Sequence, residues 1–379
     1  MTAQDSVAKS SIKKEEVLSE IERRANEFNR LRHIPPDVIS KFKSLGVYRA
    51  LVPKRFGGDA RSPSGFCRLI EDISAADASA GWVASFGVSA AYLSTLPPTT
   101  YEKIYSSNPD TVFAGAMFPP QLAQAATGGY EVSGRWPWGS GVLCADLVGA
   151  GIKIEDKKSE LPIIAVIPKQ RVKVLDTWNA LSLRGTGSHD FSVDQVVVPN
   201  EWTFVRGAKP TMDDRLFRYP SMALASQVLA VVALGAARAA LDYVKKSGSR
   251  QSITGAPKPS SRSYFQTGYT KAVGKYLGAQ ALFYDTLDEA YEELEHNETV
   301  QPETHIRLRL VASKAARDGA EAARIAFVLG GSNVLNEDHP LLHKMLDAAG
   351  VAQHAFLAEG TFTAAGAAFF EEPTFQSFP

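Results

Sequence analysis

GGYEVSGRWPWGSGVLCAD, residues Gly128–Asp146, decides the reading of this chain. Tyr130, Val132 and Trp136 alternate with Glu131, Ser133 and Arg135, the period of a half-buried strand. The run then breaks into Trp136-Pro-Trp138-Gly-Ser140-Gly. That turn sets two indoles and a hydroxyl beside backbone that Gly139 and Gly141 leave bare, so a flat ligand can approach the main chain. The same residues also suit an aromatic core hairpin with a turn serine.

Working outward, the period stays near two from about Thr111 to Phe204. TVFAGAMF, LVGAGIKI, LPIIAVIP, RVKVLDTW and HDFSVDQVVVP are short runs rich in Val, Ile and aromatics, separated by Gly, Pro and Asp. Together with the opening stretch they make six strands, enough for a small sandwich or barrel. Both flanks are helical. EEVLSEIERRANEFNRL carries Val17, Ile21, Ala25, Phe28 and Leu31 at helical spacing, the stripe of a surface helix. IPPDVISKFKSLGV opens on Pro and closes on Gly46, as short helices do. DASAGWVASFGVSAAYLSTL is apolar nearly all round and predicts one inner helix. After Pro220 come three long helical runs, each about 45 Å if fully helical, and a fourth segment from Pro340 to Phe370, which together predict a four-helix bundle. Gly255–Ser263 is the most linker-like stretch. The expected division is a helical domain over residues 1–110, a β domain over 111–215 and a bundle over 216–379.

The chain has 379 residues, 41 Lys+Arg against 41 Asp+Glu and 45% hydrophobic residues. Balanced charge argues against a nucleic-acid partner. No uninterrupted apolar run approaches the roughly 20 residues that cross a bilayer. The N-terminal MTAQDSVAKSSIKKEEV lacks the apolar stretch of a secretory leader. Two cysteines, Cys67 and Cys144, exclude a disulfide framework and fit a reducing cytoplasm. GxGxxG, GxxxxGK[ST], HExxH and GxSxG are all missing, which leaves no nicotinamide, nucleotide, zincin or hydrolase signature. His339 and His343 stand at i, i+4 and read either as a ligand pair or as capping and solvated histidines; no metal site is expected.

Three further motifs bear chemistry. In TWNALSLRGTGSHDFSVDQVVVP, Thr177–Pro199, Arg184 precedes Gly185, Thr186, Gly187 and Ser188. A cation with free amides and hydroxyls suits an anion, and equally a hairpin loop with a solvated arginine. VLGGSNV, with Gly330 and Gly331, is a helix C-cap. HPLLHKMLDAAGVAQHAFLAEGTF, His339–Phe362, carries His354, which reads as a core histidine or a catalytic one, and Glu359.

Helical domain, small β domain and bundle, in that order and with these motifs, resemble the acyl-CoA dehydrogenase superfamily from about Glu20 to Phe370. Within it the chain is most similar to the oxygenase component of group D two-component flavin monooxygenases. That pattern, G-x-W-x-x-x-SG, is matched by Gly134, Trp136, Ser140 and Gly141, and the resemblance implies that Ser140 neighbours flavin N5. It further implies flavin contacts from Phe118 and Trp138, from Arg184, Thr186 and Ser188, and, across a subunit boundary, from Arg250, Gln266, Gly330 and Gly331. Asp347 and His354 satisfy the D-x-x-x-x-x-x-H pattern of these oxygenases, which makes His354 the implied catalytic residue. Many relatives have a histidine two positions after the aspartate, where this chain has Ala349. The implied chemistry uses reduced FAD or FMN from a separate NAD(P)H-dependent reductase, and dioxygen, to form a C4a-(hydro)peroxyflavin that oxygenates a small aromatic of indole or phenol type. Trp82, Phe118, Trp136 and Trp138 would form a dry wall around it, and His354, titrating near neutrality, would deprotonate the substrate or hydrogen-bond the peroxide. The alternative is an acyl-CoA dehydrogenase with Glu359, of the Glu359-Gly360-Thr361 triplet, as base. Aligned on Asp347, however, that base falls near His354 and Ala355, one helical turn too early. A flavin-free bundle protein is a third reading. A cytoplasmic homotetramer is expected.

Overall fold

The computed structural model describes residues 13–154, 162–251 and 255–372; most of the polar stretch read for a leader, residues 1–12, lies outside them. Six helices open the chain: α1 (Lys14–Leu31), α2 (Pro36–Ser44), α3 (Pro63–Ala76), α4 (Ala78–Ala84), α5 (Ser89–Leu93) and α6 (Pro98–Tyr105). The stripe in α1 buries Val17, Ile21 and Phe28, and α3 starts on a Ser62 cap whose hydroxyl accepts from the Gly65 N–H at 3.1 Å. The expected single inner helix is instead broken into α4, a 3₁₀ turn at Ser85–Val88 and α5. Serine hydroxyls explain the break: Ser85 donates to the Trp82 carbonyl at 2.7 Å, and Ser89 Oγ lies within hydrogen-bond reach of the Phe86 and Phe113 carbonyls. Such hydroxyls offer the backbone local bonds that compete with a regular helix.

The β domain has eight strands rather than six: β1 (Phe113–Leu122), β2 (Gln124–Ala126), β3 (Gly129–Trp136), β4 (Leu147–Lys153), β5 (Ile163–Pro168), β6 (Lys173–Leu175), β7 (Asp190–Pro199) and β8 (Thr203–Val205). Two four-stranded sheets, ordered β1-β4-β5-β8 and β2-β3-β7-β6, form a sandwich. β1 and β4 run parallel; the other pairs are antiparallel. The two additional strands are three-residue edges too short to announce themselves by periodicity.

The short α7 (Arg215–Arg218) leads into α8 (Ser221–Gly248), α9 (Ser263–His296), α10 (Pro302–Leu329), α11 (Pro340–Val351) and α12 (Gly360–Phe369). α8 is by length and composition long and apolar enough to cross a membrane, and 83% of its apolar window is buried inside the protein. Small residues let its neighbours approach: a Cβ on Gly319 of α10 would stand 2.9 Å from the Ala233 carbonyl oxygen. The fourth bundle segment is not continuous. It breaks between α11 and α12, with a 3₁₀ turn at Ala355–Leu357, and His354 sits in that break rather than on a helix face.

The first domain is tied to the bundle at Glu71 of α3, which is 2% exposed. Its carboxylate accepts from Tyr276 Oη (2.8 Å), Gln280 Nε2 (2.7 Å) and Tyr284 Oη (2.6 Å) of α9. Arg238 of α8 stands 3.5 Å away.

Candidate active site

All three parts of the chain meet around an apolar cavity of about 310 Å³, at the lower end of the size of small-molecule sites. Its walls include Trp82 and Phe86 from the first domain, Phe118, Trp138 and Ser140 from the β domain, Val228 of α8, and His354. One face of a sheet forms its floor, through Gly115, Gly149, Ile164 and Phe204 on β1, β4, β5 and β8.

Two tight turns build the polar end. Trp138 (φ 56°) and Gly141 (φ 72°) lie in the left-handed region after β3, and Leu183 (φ 51°) and Gly187 (φ 60°) do so before β7. The turns are pinned to one another by Gly139 N–H to His189 O (2.9 Å) and Gly141 N–H to Thr186 O (3.3 Å). A Cβ on Gly139 would come within 2.8 Å of the Phe191 ring, so only glycine permits the approach. Ser140 Oγ thereby reaches Ser188 Oγ at 2.5 Å, and Ser188 Oγ reaches Thr186 Oγ1 at 2.7 Å. Thr186 Oγ1 donates to the Leu183 carbonyl at 2.8 Å. Each hydroxyl has one proton. Thr186 has committed its own to a carbonyl, so Ser188 must donate to Thr186 and Ser140 to Ser188. Ser140 therefore faces the cavity with lone pairs only. Leu183 is held at its other end as well, its N–H donating to Asp347 Oδ1 of α11 at 2.6 Å.

Asp347 is fully enclosed. Burial first, and the neighbouring Asp77 second, push its carboxyl up to about 7. Burial likewise raises Asp77, the N-cap of α4, to about 6 against the bond it accepts from Ala80 N–H.

His354 packs edge-on to Trp82 (5.6 Å) and to Phe356 (5.1 Å). Its Nδ1 accepts from the Phe356 N–H at 3.2 Å, which places the proton of the neutral ring on Nε2. Burial lowers its pKa to about 4. His354 therefore does not titrate near neutrality in the ligand-free site, contrary to the sequence expectation. The cause is desolvation among aromatic rings with no carboxylate counter-charge. It is a neutral N–H donor.

The other expected residues divide. Trp82, Phe118 and Trp138 line the cavity. Trp136 does not: it stacks on Phe191 at 5.3 Å inside the sandwich, and its Nε1 donates to the Gly151 carbonyl across to the other sheet. Arg184 lies behind the hydroxyl turn, its Nε buried without a partner among the described residues. Arg250 and Gln266 are exposed and Gly330 packs on Val334 and Leu341; none of the three, nor Gly331, lines the cavity. Glu359 is 77% exposed and pairs with Arg317 at 3.0 Å, so a dehydrogenase base is not in place. His339 caps α11 through Nδ1 and meets Tyr243 Oη at 3.0 Å through Nε2. Sequence reasoning missed Arg206, a cavity residue only 6% exposed. An arginine just past a short strand gives no signal that it turns inward.

The apolar slot and the lone pairs of Ser140 fit a flat ring that carries an N–H donor, as a reduced flavin does. Helical domain, β sandwich and bundle closing on one such slot define an acyl-CoA dehydrogenase-type flavoprotein. Residues 14–96 match the family model for the acyl-CoA dehydrogenase N-terminal domain, and 227–359 that for the C-terminal domain. The indole-3-acetate monooxygenase of Pseudomonas putida is 49% identical over 92% of this chain and 90% of its own, and that of Acinetobacter baumannii 42% identical over 91% and 90%. The oxygenase component of a FADH(2)-dependent resorcinol hydroxylase from a Rhizobium species is 31% identical over 60% and 58%. The crystal structure of 3-HSA hydroxylase from Rhodococcus sp. RHA1 superimposes with a TM-score of 0.89 over 96% and 97% of the two chains at 24% identity. The chain belongs to the acyl-CoA dehydrogenase superfamily, among its flavin-dependent monooxygenases. It is the oxygenase component of a flavin-dependent monooxygenase and depends on reduced flavin.

Proposed function

We propose that this protein oxygenates indole-3-acetate or a near analogue, and that Ser140 would serve a bound flavin while Trp82, Phe118 and His354 would meet the substrate. The observation that carries the reading is the cavity itself, a mostly apolar slot with a hydroxyl that can only accept at one end and an imidazole N–H that donates into it. Bound reduced flavin, FAD or FMN, supplies the electrons and the centre at which dioxygen is activated. Ser140 Oγ, its own proton fixed on Ser188, offers lone pairs to the ring N5–H and holds that proton. Trp82, 7% exposed, forms the enclosed side of the slot, where fixed dipoles act more strongly than in water, and Phe118 and Trp138 stand at its open rim. His354 Nε2–H donates to substrate or oxygen without changing charge. Thr186, Ser188 and Arg184 support the flavin side.

A cytoplasmic homotetramer completes the reading. Leu277, Leu282, Val328, Leu335 and Phe370 are exposed on the bundle, and open space over Gly274 and Gly278 admits a second helix. Arg250, Gln266, Gly330 and Gly331 would then reach a neighbour's flavin. The division at 1–110, 111–215 and 216–379 follows the same architecture.

Oxygen uptake with either chemically reduced flavin tests the reading. Indole-3-acetate should be converted in near-stoichiometric yield, and Ser140→Ala should divert most of the oxygen to hydrogen peroxide. Peroxide alone from the unaltered protein, with indoles and phenols alike, rules the reading out.

A further inference from the structure

Arg206 has no role in the chemistry described so far. It follows β8 and lines the cavity, yet it is 6% exposed. Its guanidinium lies over the Tyr92 ring at 3.6 Å, and its Nε points at the Met222 sulfur at 3.3 Å. Both neighbours are neutral. No carboxylate among the described residues stands within ion-pair distance of it. A buried cation is costly unless an anion compensates it. A ring face, the Tyr92 hydroxyl and a thioether steer the head, but none of them brings a negative charge, and the guanidinium fork is built for a carboxylate.

The position of Arg206 selects the partner. The cavity floor crosses the whole sheet from β1 to β8. The Ser140 turn stands by β1, where a Cβ on Gly141 would be 3.4 Å from the Ala114 Cβ. Arg206 stands past the opposite edge strand. A ligand spanning the floor has its ring near Ser140 and its far end at the guanidinium.

We propose that Arg206 receives the carboxylate of the substrate, so that the cavity selects arylacetate-type anions over neutral arenes of the same shape. The assignment rests on the aromatic-oxygenase reading above and adds the residue that chooses within that class.

The test is equilibrium binding to the protein loaded with reduced flavin under anaerobic conditions, using indole-3-acetate and its uncharged isostere indole-3-acetamide. The unaltered protein should prefer the acetate. Arg206→Met should weaken acetate binding by at least roughly 30-fold, the low end of what losing one partner of a buried charge pair costs, with acetamide binding changed little. Arg206→Lys should keep part of the preference, which covers the case in which the methionine variant does not fold. Equal binding of acetate and amide by the unaltered protein overturns the proposal. So does a methionine variant that keeps the preference and loses flavin affinity instead, which would make Arg206 a cofactor residue. If neither indole binds, 4-hydroxyphenylacetate and its amide decide Arg206 separately from the indole reading.

Discussion

Ser140 illustrates how a single proton assignment carries chemical meaning. Its hydroxyl is oriented by Ser188 and Thr186, and ultimately by the Leu183 carbonyl. Removing a link frees the proton. In Ser188→Ala the Ser140 proton is released to turn into the cavity, and an oxidised ring, which accepts at N5, gains a partner. The preference for reduced over oxidised flavin should fall about five- to ten-fold, the worth of one hydrogen bond. Thr186→Val should act in the same direction. Titrating each variant with both redox states of flavin checks this, and an unchanged ratio of dissociation constants would show that the chain does not orient Ser140. The residue scale also shows what periodicity conceals. Trp136 and Trp138 stand two apart and should share a face. The strand ends at Trp136, and the left-handed backbone at Trp138 turns one indole into the cavity while the other stays in the core.

At the scale of elements, the break between α11 and α12 and the break after α4 define the site, and neither was legible. Ala, Gly and Ser run through both segments, and composition alone reads as continuous helix. Six of the eight strands, the hydroxyl turns and the long bundle helices were legible because their signals are local. The pairing of Asp77 with Asp347 was not, since only packing brings α4 against α11. Their raised pKa values have a definite sign. Between about 4 and 7 the folded protein holds protons that the unfolded chain releases, so this pair contributes stability that is lost as pH rises through that window. Asp77→Asn keeps an oxygen for the Ala80 N–H and removes one charge. Denaturant melts should show the variant gaining on the unaltered protein by on the order of 2 kcal/mol between pH 5 and 8. A difference that stays constant across that range would mean the two carboxyls do not share a proton problem.

Across the whole molecule, Glu71 is the buried carboxylate that ties the first domain to the bundle. Two tyrosines and a glutamine of α9 donate to it. Glu71→Ala leaves those donors buried and unmatched, and should cost roughly 3–5 kcal/mol, as the loss of one member of a buried network does. The thermal midpoint should fall by several degrees, and loss of the contact between α3 and α9 should raise amide exchange in both. An unchanged midpoint would mean that apolar packing alone holds the domains. The order of domains was legible because long helical runs flank a strand-rich centre. Arg206 was not, because its meaning depends on which side of the last strand faces the cavity.

The floor of the slot runs from a cofactor edge to a selectivity edge, and different stretches of chain furnish the two. On the proposed reading the two β turns serve oxygen activation, while the walls that would meet the substrate come from α4 and its 3₁₀ turn, from α8 and from the end of β8. The enzyme is thus modular in the way a tool with exchangeable jaws is. A library confined to Val88, Arg206, Val228 and Leu229 would retarget the enzyme to new arenes while leaving its oxygen chemistry intact.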